Sequence, residues 1–389
     1  MNIVIVSAMF PPVRTGTSFY TSNLANALQQ RGHAVTVITL KNEADAPDEY
    51  PYPVHRLRAI HFSTLSFFKH FRIACFFPGN YFEMRQIAKE QQADVIFVVN
   101  HYLDIVFPAI FAARSLGVPL VCSVGTQLQS GIAWRHRVLN VLDRIICGGL
   151  VFPFCTWIVA WDNEILRYLG DIHGSRLLRK CSVVNYGVNG DSTELLAHVH
   201  DYARHNQILC VGSVIRQRSY IPLIRAFARI ADEYPELQLK IIGHIYFDEP
   251  MRVAREMGLE KRVVFFGELP HNQVLEEFKR SDLYYVSLTG RYFGLGTATI
   301  ESMLMGIPVI ANVPLDILGK ARLENGHHIV AEDGSPSEGL ANQLRSMLRE
   351  ETMRANVGRG GREFILRHMT WDRVAEDMEQ LLAAVMRKA

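Results

Sequence analysis

The run Gly294-Leu295-Gly296-Thr297-Ala298-Thr299-Ile300-Glu301 holds the most suggestive chemistry in this 389-residue chain. Two glycines directly ahead of a short helical stretch leave a cradle of free backbone N–H groups at a positive helix end, which suits a diphosphate. Glu301, one turn into that helix, either accepts protons from two neighbouring hydroxyls, as a carboxylate does for a ribose, or simply faces solvent. A second loop, Phe10-Pro11-Pro12-Val13-Arg14-Thr15-Gly16-Thr17, leaves a strand through two stiff prolines. Gly16 lets the backbone approach a ligand where a helix begins, although a plain strand-to-helix turn accounts for the loop as well. His101, after a strand-like run, is read as a group facing the same space as that loop, or as a structural histidine.

The elements that must position these residues alternate in type. Apolar runs of strand length fall at Ile3 to Ser7, Ala34 to Thr39, Val95 to Val99, Leu120 to Val124 and Trp157 to Ala160. A second series falls at Ile208 to Val211, Leu237 to Ile242, Val263 to Phe266, Leu283 to Ser287 and Val309 to Ala311. Helical patterns fill the gaps, among them one with Tyr20, Leu24 and Leu28 on its inner face, one from Ile221 to Tyr234 and one from Gln273 to Arg280. Strands alternating with helices predict an α/β protein with two doubly wound, Rossmann-like parallel sheets facing a cleft, ligands lying outside the carboxyl ends of the strands. The expected division is 1–195 together with a C-terminal helix in 370–389, and 205–369, joined through the polar stretch Asn189 to Asn206.

Composition excludes several classes. A net charge of +2 is no nucleic-acid footprint, though the N-terminal half has a small surplus of Lys and Arg and the C-terminal half a small surplus of Asp and Glu. Six cysteines lie without a Cys-x-x-Cys or His/Cys ligand spacing, which speaks against a zinc site or disulfide framework and for a reducing cytoplasm. Met1 leads straight into a strand, with no signal-like leader expected. The stretch Ile145 to Trp161 is uncharged but broken by Gly148, Gly149 and Pro153, so it reads as a helix end followed by a buried strand rather than a membrane span. Between His61 and Phe82, seven phenylalanines stand beside Lys69, His70 and Arg72. That mixture suits either an interfacial surface on anionic lipid or the core of an irregular insertion.

The run from Phe293 to Asn312 resembles the Glu-x7-Glu segment of retaining GT-B glycosyltransferases, in particular family four, which includes sucrose-synthase-like and bacterial enzymes. Other segments resemble the family's in the right order. Phe10 to Gly16 is similar to its Phe-Pro-Pro loop, Val184 to Asn189 to its linker, Ile208 to Phe227 to the start of its donor domain, and Thr370 to Leu382 to its closing helix. The resemblance implies transfer from a nucleotide diphosphate sugar, with no cofactor and no metal; no Asp-x-Asp occurs in the chain to hold a divalent ion. Donor-binding positions carried over are Ser213, Arg216, Arg218, Gly243, Gly267, Leu295, Gly296, Thr297 and Glu301. Arg218 stands where the family has a phosphate-binding Lys, Ser213 where it has an Arg, and Arg216 is a replacement cation, unless the two arginines are solvated loop residues.

Three sugar-facing positions depart from the pattern. The first Glu of the motif is Phe293, the family's sugar-contacting His falls on Gly125 or Val124, and the first glycine of its Gly-Gly pair is Thr15. Gly16, His101 and Phe293 are therefore the catalytic-side candidates, with His101 as a substitute contact. The expected activity is hexosyl transfer to a saccharide or lipid-linked acceptor in cell-envelope polysaccharide or glycolipid synthesis. The expected place is the cytoplasm, peripheral on the inner face of the membrane through 61–82. A catalytically impaired scaffold subunit is the alternative, and no nucleic-acid partner is expected.

Overall fold

The computed structural model describes residues 1–13, 15–41, 50–61, 72–128, 133–188, 200–216, 218, 220–287, 294–332 and 337–388. The chain divides into two compact units, Met1–Gly187 with Trp371–Ala389, and Val188–Thr370.

In the first unit the strands are β1 (Asn2–Ser7), β2 (Ala34–Leu40), β3 (Val54–Leu57), a small antiparallel pair β4 (Ile60–His61) and β5 (Arg72–Ile73), then β6 (Val95–Val99), β7 (Leu120–Val124), β8 (Trp157–Ala160) and β9 (Cys181–Val183). The helices are α1 (Gly16–Gln30), α2 (Pro78–Glu90), α3 (Val106–Leu116), α4 (Ala133–Ile146) and α5 (Asn163–His173). Seven strands form one parallel sheet in the order β3-β2-β1-β6-β7-β8-β9. Its central strands are buried along nearly their whole length, as continuous apolar runs covered on both faces must be. Beyond Ile146, the backbone runs through a π-helical turn (Cys147–Val151) and a 3₁₀ turn (Phe152–Phe154) into β8, so the apolar stretch is a helix end and a strand.

The second unit holds β10 (Gln207–Val211), β11 (Gln238–Ile242), β12 (Val263–Gly267), β13 (Leu283–Ser287), β14 (Val309–Asn312) and β15 (Val330–Ala331). Its helices are α6 (Tyr220–Ile230), α7 (Glu249–Glu256), α8 (His271–Lys279), α9 (Thr297–Leu304), α10 (Glu338–Arg349) and α11 (Glu351–His368). The sheet is again parallel, in the order β12-β11-β10-β13-β14-β15. The final helix, α12 (Trp371–Met386), belongs to the first unit. Trp371, Val374, Ala375, Met378, Leu382 and Val385 share one helical face and pack with Tyr20, Leu24 and Leu28 of α1. Arg31 ties the same pair of helices at their rim, reaching Asp372 at 3.1 Å and Glu379 at 2.9 Å.

Two expectations needed adjusting. The helix expected to Tyr234 stops at Ile230, because the Arg262 guanidinium donates to the carbonyls of Ala231, Tyr234 and Leu237 and turns the chain toward β11. The edge strands β3, β9 and β15 were not expected: they have only 4, 3 and 2 residues, and Val54–Leu57 mixes His and Arg into a run that buries one residue.

His200 supplies a pH-dependent strut in the second unit. Its Nε2 donates to the Ser281 carbonyl at 2.8 Å and its Nδ1 accepts the Tyr202 N–H at 3.0 Å, which fixes a neutral tautomer. Burial holds its pKa below the ordinary value against the opposing pull of that carbonyl, Asp201 and Asp282, while His205 adds to the lowering. The unfolded chain therefore binds this proton more readily, so the stability due to His200 is complete above about pH 6.5 and declines as pH falls from there toward the folded-state pKa. The slope is at most about 1.4 kcal/mol per pH unit. We expect the destabilisation caused by His200→Gln to be clearly smaller at pH 5.5 than at pH 7.5 in denaturant titrations; an equal penalty at both values would refute the strut.

Candidate functional site

In the second unit the strand order reverses at β10, which has β11 on one side and β13 on the other, and ligands in such sheets gather outside the strand ends there. Two glycines shape that spot. Gly212, just past β10, has φ +144° and Gly243, just past β11, has φ +146°. A Cβ on Gly243 would sit 2.4 Å from the carbonyl carbon and oxygen of Gly212, so a glycine at 243 is what lets the loops lie backbone on backbone. Amide bonds lace the row together: Gly212 N–H to Ile242 O at 2.7 Å, Gly243 N–H to Gly267 O at 2.7 Å, and Val214 N–H to His244 O at 2.8 Å.

The room left by the missing Cβ of Gly212 is taken by Arg218, whose Nη1 lies 1.2 Å from where that Cβ would be. Its Nε is buried without a hydrogen-bond partner, and no carboxylate pairs with it among the described residues. The titratable groups around it are Cys210, Tyr220 and Tyr284; burial drives all three pKa values up, and the nearby guanidinium only partly offsets this. They stay protonated at neutral pH and give Arg218 no counter-charge. A half-buried guanidinium left in this state calls for an anion from outside.

On the other side of β10, β13 leads through residues 288–293 to Gly296, which has φ +80° and caps α9 with no side chain. The amides at 297–299 precede the first intrahelical bond, that of Ile300 to Gly296 O at 3.2 Å, so among the described residues the helix offers N–H groups without a backbone partner at its positive end. Tyr284 connects the two halves: its hydroxyl lies 3.2 Å from Val211 O, bonds to Thr299 of α9 and senses Arg218. Glu301 presents a side chain 22% exposed, with Oε1 3.2 Å from Nε2 of His271 at the start of α8. The arrangement can clamp an anion between one guanidinium and one helix start, with a carboxylate nearby to receive hydroxyls.

Of the expected donor positions, Ser213, Arg218, Gly243, Gly296, Thr297 and Glu301 lie on the loops or helix start that follow β10, β11 and β13, and Gly267 ends β12. Leu295 is buried with Ile300 and Met303 and offers only backbone. Arg216 is exposed with its guanidinium 4.5 Å from the Phe247 ring, where it stacks. Phe293 lies outside the described residues. Sequence reasoning missed Tyr284, an apolar-looking strand residue, and His271, whose helix start gave no hint of Glu301 thirty positions away.

In the first unit, Gly16 opens α1 with nothing within 4 Å of its would-be Cβ, and Thr15 caps the helix, its Oγ1 accepting the Ser18 N–H at 3.2 Å. The threonine that replaces a glycine thus consumes one amide of the helix start. His101 requires a correction: it is 0% exposed, stacked on Phe152 with centroids 5.4 Å apart, and its Nε2 lies 3.5 Å from Asp143. Burial first of all lowers its pKa. It cannot contact a substrate, because the turn that follows β6 points it into the unit. The residue before it does the visible work: Asn100, with φ +69°, donates to Thr17 Oγ1 at 2.7 Å and accepts from Gly125 N at 3.2 Å, joining the loops after β1, β6 and β7. Of the two positions on which the resemblance puts the family's histidine, Gly125 and Val124, the first is closed to a side chain, since a Cβ on Gly125 would lie 2.3 Å from the Trp161 indole.

Comparison with known proteins decides the family. The description "Glycosyltransferase Family 4" matches residues 14–191, and "Glycosyl transferases group 1" matches residues 194–364. The chain belongs to the group 1, family 4 glycosyltransferases. Among relatives of this glycosyltransferase, mannosylfructose-phosphate synthase of Agrobacterium fabrum is 22% identical, the alignment covering 95% of this chain and 86% of the relative. Glycogen synthase of Mycobacterium tuberculosis is likewise 22% identical, over 100% and 95% of the two chains. Solved structures share the GT-B fold of two Rossmann-like domains. A glycosyltransferase from Rickettsia africae superposes with a TM-score of 0.71 at 13% identity, covering 100% of this chain and 99% of that one. Anabaena HepE in complex with UDP gives 0.70 at 16% identity, over 99% and 100%.

Proposed function

We propose that this glycosyltransferase moves a hexose, with retention, from a UDP- or GDP-sugar to a saccharide or lipid-linked acceptor of cell-envelope polysaccharide or glycolipid synthesis. The observation that carries the reading is Arg218, a half-buried guanidinium with no counter-charge among the described residues, set at the strand ends opposite a bare helix start. A pyrophosphate supplies the missing charge. Arg218 and the amides at 297–299 then neutralise the leaving group without a metal ion at the donor, while Glu301 takes the ribose hydroxyls and Ser213, Gly243, Gly267, Leu295, Gly296 and Thr297 line the nucleotide, with Arg216 at its edge. The bond from the anomeric carbon to the phosphate oxygen breaks as that from carbon to the acceptor oxygen forms on the same face, and the acceptor proton passes to the departing phosphate oxygen. No protein carboxylate is needed as base, so Phe293 in place of a glutamate costs positioning rather than chemistry. Gly16 keeps the start of α1 open to a ligand, with nothing within 4 Å of its would-be Cβ.

Names among the relatives support this choice of donor: one is a GDP-mannose-dependent mannosyltransferase of Mycolicibacterium smegmatis, 22% identical over 45% of this chain, and Anabaena HepE has been solved with UDP-glucose. The reading is tested by thermal shift with a panel of UDP-, GDP- and ADP-sugars in the presence of a chelator. One nucleotide should stabilise the chain by about 2.7 kcal/mol at a hundred times its Kd. Absence of a shift with every member would defeat it, and a shift without turnover on any acceptor would favour the scaffold alternative that Phe293 raises.

A peripheral membrane contact fits α4 better than 61–82, of which 62–71 lie outside the described residues. Trp134, Val138, Val141, Leu142 and Ile145 share one face of α4 and are all exposed, Trp134 by 63%, with Arg135, Arg137 and Arg144 beside them. An apolar stripe bordered by arginines suits anionic lipid. No described helix is long and apolar enough to cross a membrane. The protein should sediment with vesicles containing anionic lipid and not with purely zwitterionic ones, and Trp134→Glu with Val141→Glu should abolish this; undiminished sedimentation of the double variant would exclude α4.

A further inference from the structure

The side of α4 that meets the protein poses a separate puzzle. Amphipathic helices are ordinarily held by an apolar face, yet the apolar face of α4 is the exposed one, and the only buried described side chain on the helix is that of Asp143. Asp143 enters an enclosed polar cluster drawn from four segments. His101 comes from the turn after β6, Asp143 from α4, Cys147 from the π-helical turn that follows it, and His173 from the last turn of α5. None of these positions is spaced from another as in a known metal motif, which is why the sequence alone argued against a zinc site.

The cluster is poorly satisfied as it stands. Both ring nitrogens of His101, both of His173 and Oδ1 of Asp143 are buried without a hydrogen-bond partner. Cys147 Sγ lies 3.9 Å from the His101 carbonyl and also faces Asp143. Buried polar atoms are ordinarily paired, and five such atoms converging in one place call for something between them. The spacing on one side of Asp143 is that of a coordination shell: His101 Nε2 lies 3.5 Å from Oδ1, whereas His173 Nε2 lies 3.3 Å from the other oxygen, Oδ2. The edge of a tetrahedron with metal–ligand bonds of 2.0–2.1 Å is about 3.4 Å. One donor atom each from His101, Asp143 and Cys147 lie within 4.8 Å of one another.

We propose that His101, Asp143 and Cys147 bind a single divalent transition-metal ion of the zinc class, which pins α4 to the first unit, while His173 holds the second oxygen of Asp143. One neutral imidazole, one carboxylate and one thiolate make the site electrically neutral with a dipositive ion, which a dry interior requires. The sulfur and nitrogen donors select against Mg²⁺ and Ca²⁺. Supporting contacts resemble an outer shell: the Tyr168 hydroxyl donates to Asp143 Oδ2, Phe152 stacks on the His101 ring and meets the His173 ring edge-on at 4.9 Å. Gly148 leaves the space that His173 occupies, since a Cβ there would lie 2.9 Å from its Nδ1. A surface cavity of about 410 Å³ lined by Arg144, Gly148, Phe152, His173 and Leu177 gives the ion a way in.

The test uses the full chain, prepared without a histidine tag, stripped with chelator and titrated with Co²⁺ as a spectroscopic stand-in, then with Zn²⁺. One equivalent of Co²⁺ should give the intense visible bands of a tetrahedral centre together with a sulfur-to-cobalt band in the near ultraviolet, Zn²⁺ should displace both, and Zn²⁺ should raise the melting temperature. Cys147→Ser, a small change at a buried site, should remove the sulfur band and weaken Zn²⁺ binding at least about tenfold. Asp143→Asn should abolish tight binding. Should that variant fail to fold, the serine variant decides alone. Weak octahedral Co²⁺ spectra only, or spectra identical in wild type and Cys147→Ser, would assign the metal to an exposed cluster such as Glu324, His327 and His328 and overturn the proposal. So would a stripped protein whose melting temperature ignores Zn²⁺.

Discussion

Arg218→Ala should lower kcat/KM for sugar transfer by on the order of 10²- to 10³-fold, about 3–4 kcal/mol of transition-state stabilisation, while leaving the fold as stable as before or slightly more so. The two halves of that expectation share one cause. In the unliganded chain the guanidinium sits against Gly212 with a buried, unpartnered Nε, and its neighbours Cys210, Tyr220 and Tyr284 are held neutral by burial. Removing it therefore deletes an uncompensated charge from the free protein but a paired charge from the complex with a diphosphate. Arg218→Lys should keep part of the activity, because an ammonium can neutralise phosphate but cannot offer two parallel N–H groups. Glu301→Ala should act differently, chiefly on KM, by roughly tenfold, since a hydroxyl contact on the nucleotide is made in ground and transition states alike. Steady-state kinetics alongside melting curves separate these outcomes. Transfer by Arg218→Ala within threefold of wild type, or a variant that melts well below it, would mean that the guanidinium is a structural strut.

Much of this was readable from residue order. Apolar runs fix where central strands fall, because a strand buried on both faces has no freedom to include charge; Ile3 to Ser7 and Leu283 to Ser287 are of this kind. Gly296 was readable as a glycine ahead of a helix start, whereas Gly243 and Gly267 entered only through the family resemblance. What could not be read was direction. His101 looked available because it follows a strand, but the left-handed turn at Asn100 sends it inward to Phe152 and Asp143. The stretch Ile145 to Trp161 is the helix end and buried strand that its breaks imply, but nothing in the sequence shows that the apolar stripe of α4 faces out and its aspartate in. Periodicity says which residues share a face, and only packing says which face is inside. The stacking of Arg216 on Phe247 could not be read either, since that ring lies in a loop with no regular spacing to betray it.

Gly125 shows how a departure from a family pattern can be imposed by a distant residue. A histidine restored there is expected to destabilise the protein by roughly 3 kcal/mol or more and to bring no gain in transfer. A Cβ at 125 would lie 2.3 to 2.4 Å from three atoms of the Trp161 indole. That indole cannot swing aside cheaply: it stacks on Tyr20 with centroids 4.3 Å apart, and its Nε1 donates to Ser123 Oγ at 3.3 Å. Tyr20 is in turn packed against Tyr186 and, edge-on, against Trp371 of α12, so displacement would run into the helix that closes the unit. The collision should disappear if the indole is removed. In a double-mutant cycle, Gly125→His with Trp161→Ala should therefore be less destabilising than the sum of the two single changes by 1 kcal/mol or more, on the order seen for residues in direct contact. Additive penalties, or a Gly125→His variant as stable as wild type, would show that Trp161 does not hold the position closed. If the double variant also transferred sugar faster than Trp161→Ala alone, the indole would be what keeps this chain from the histidine contact its relatives' pattern implies.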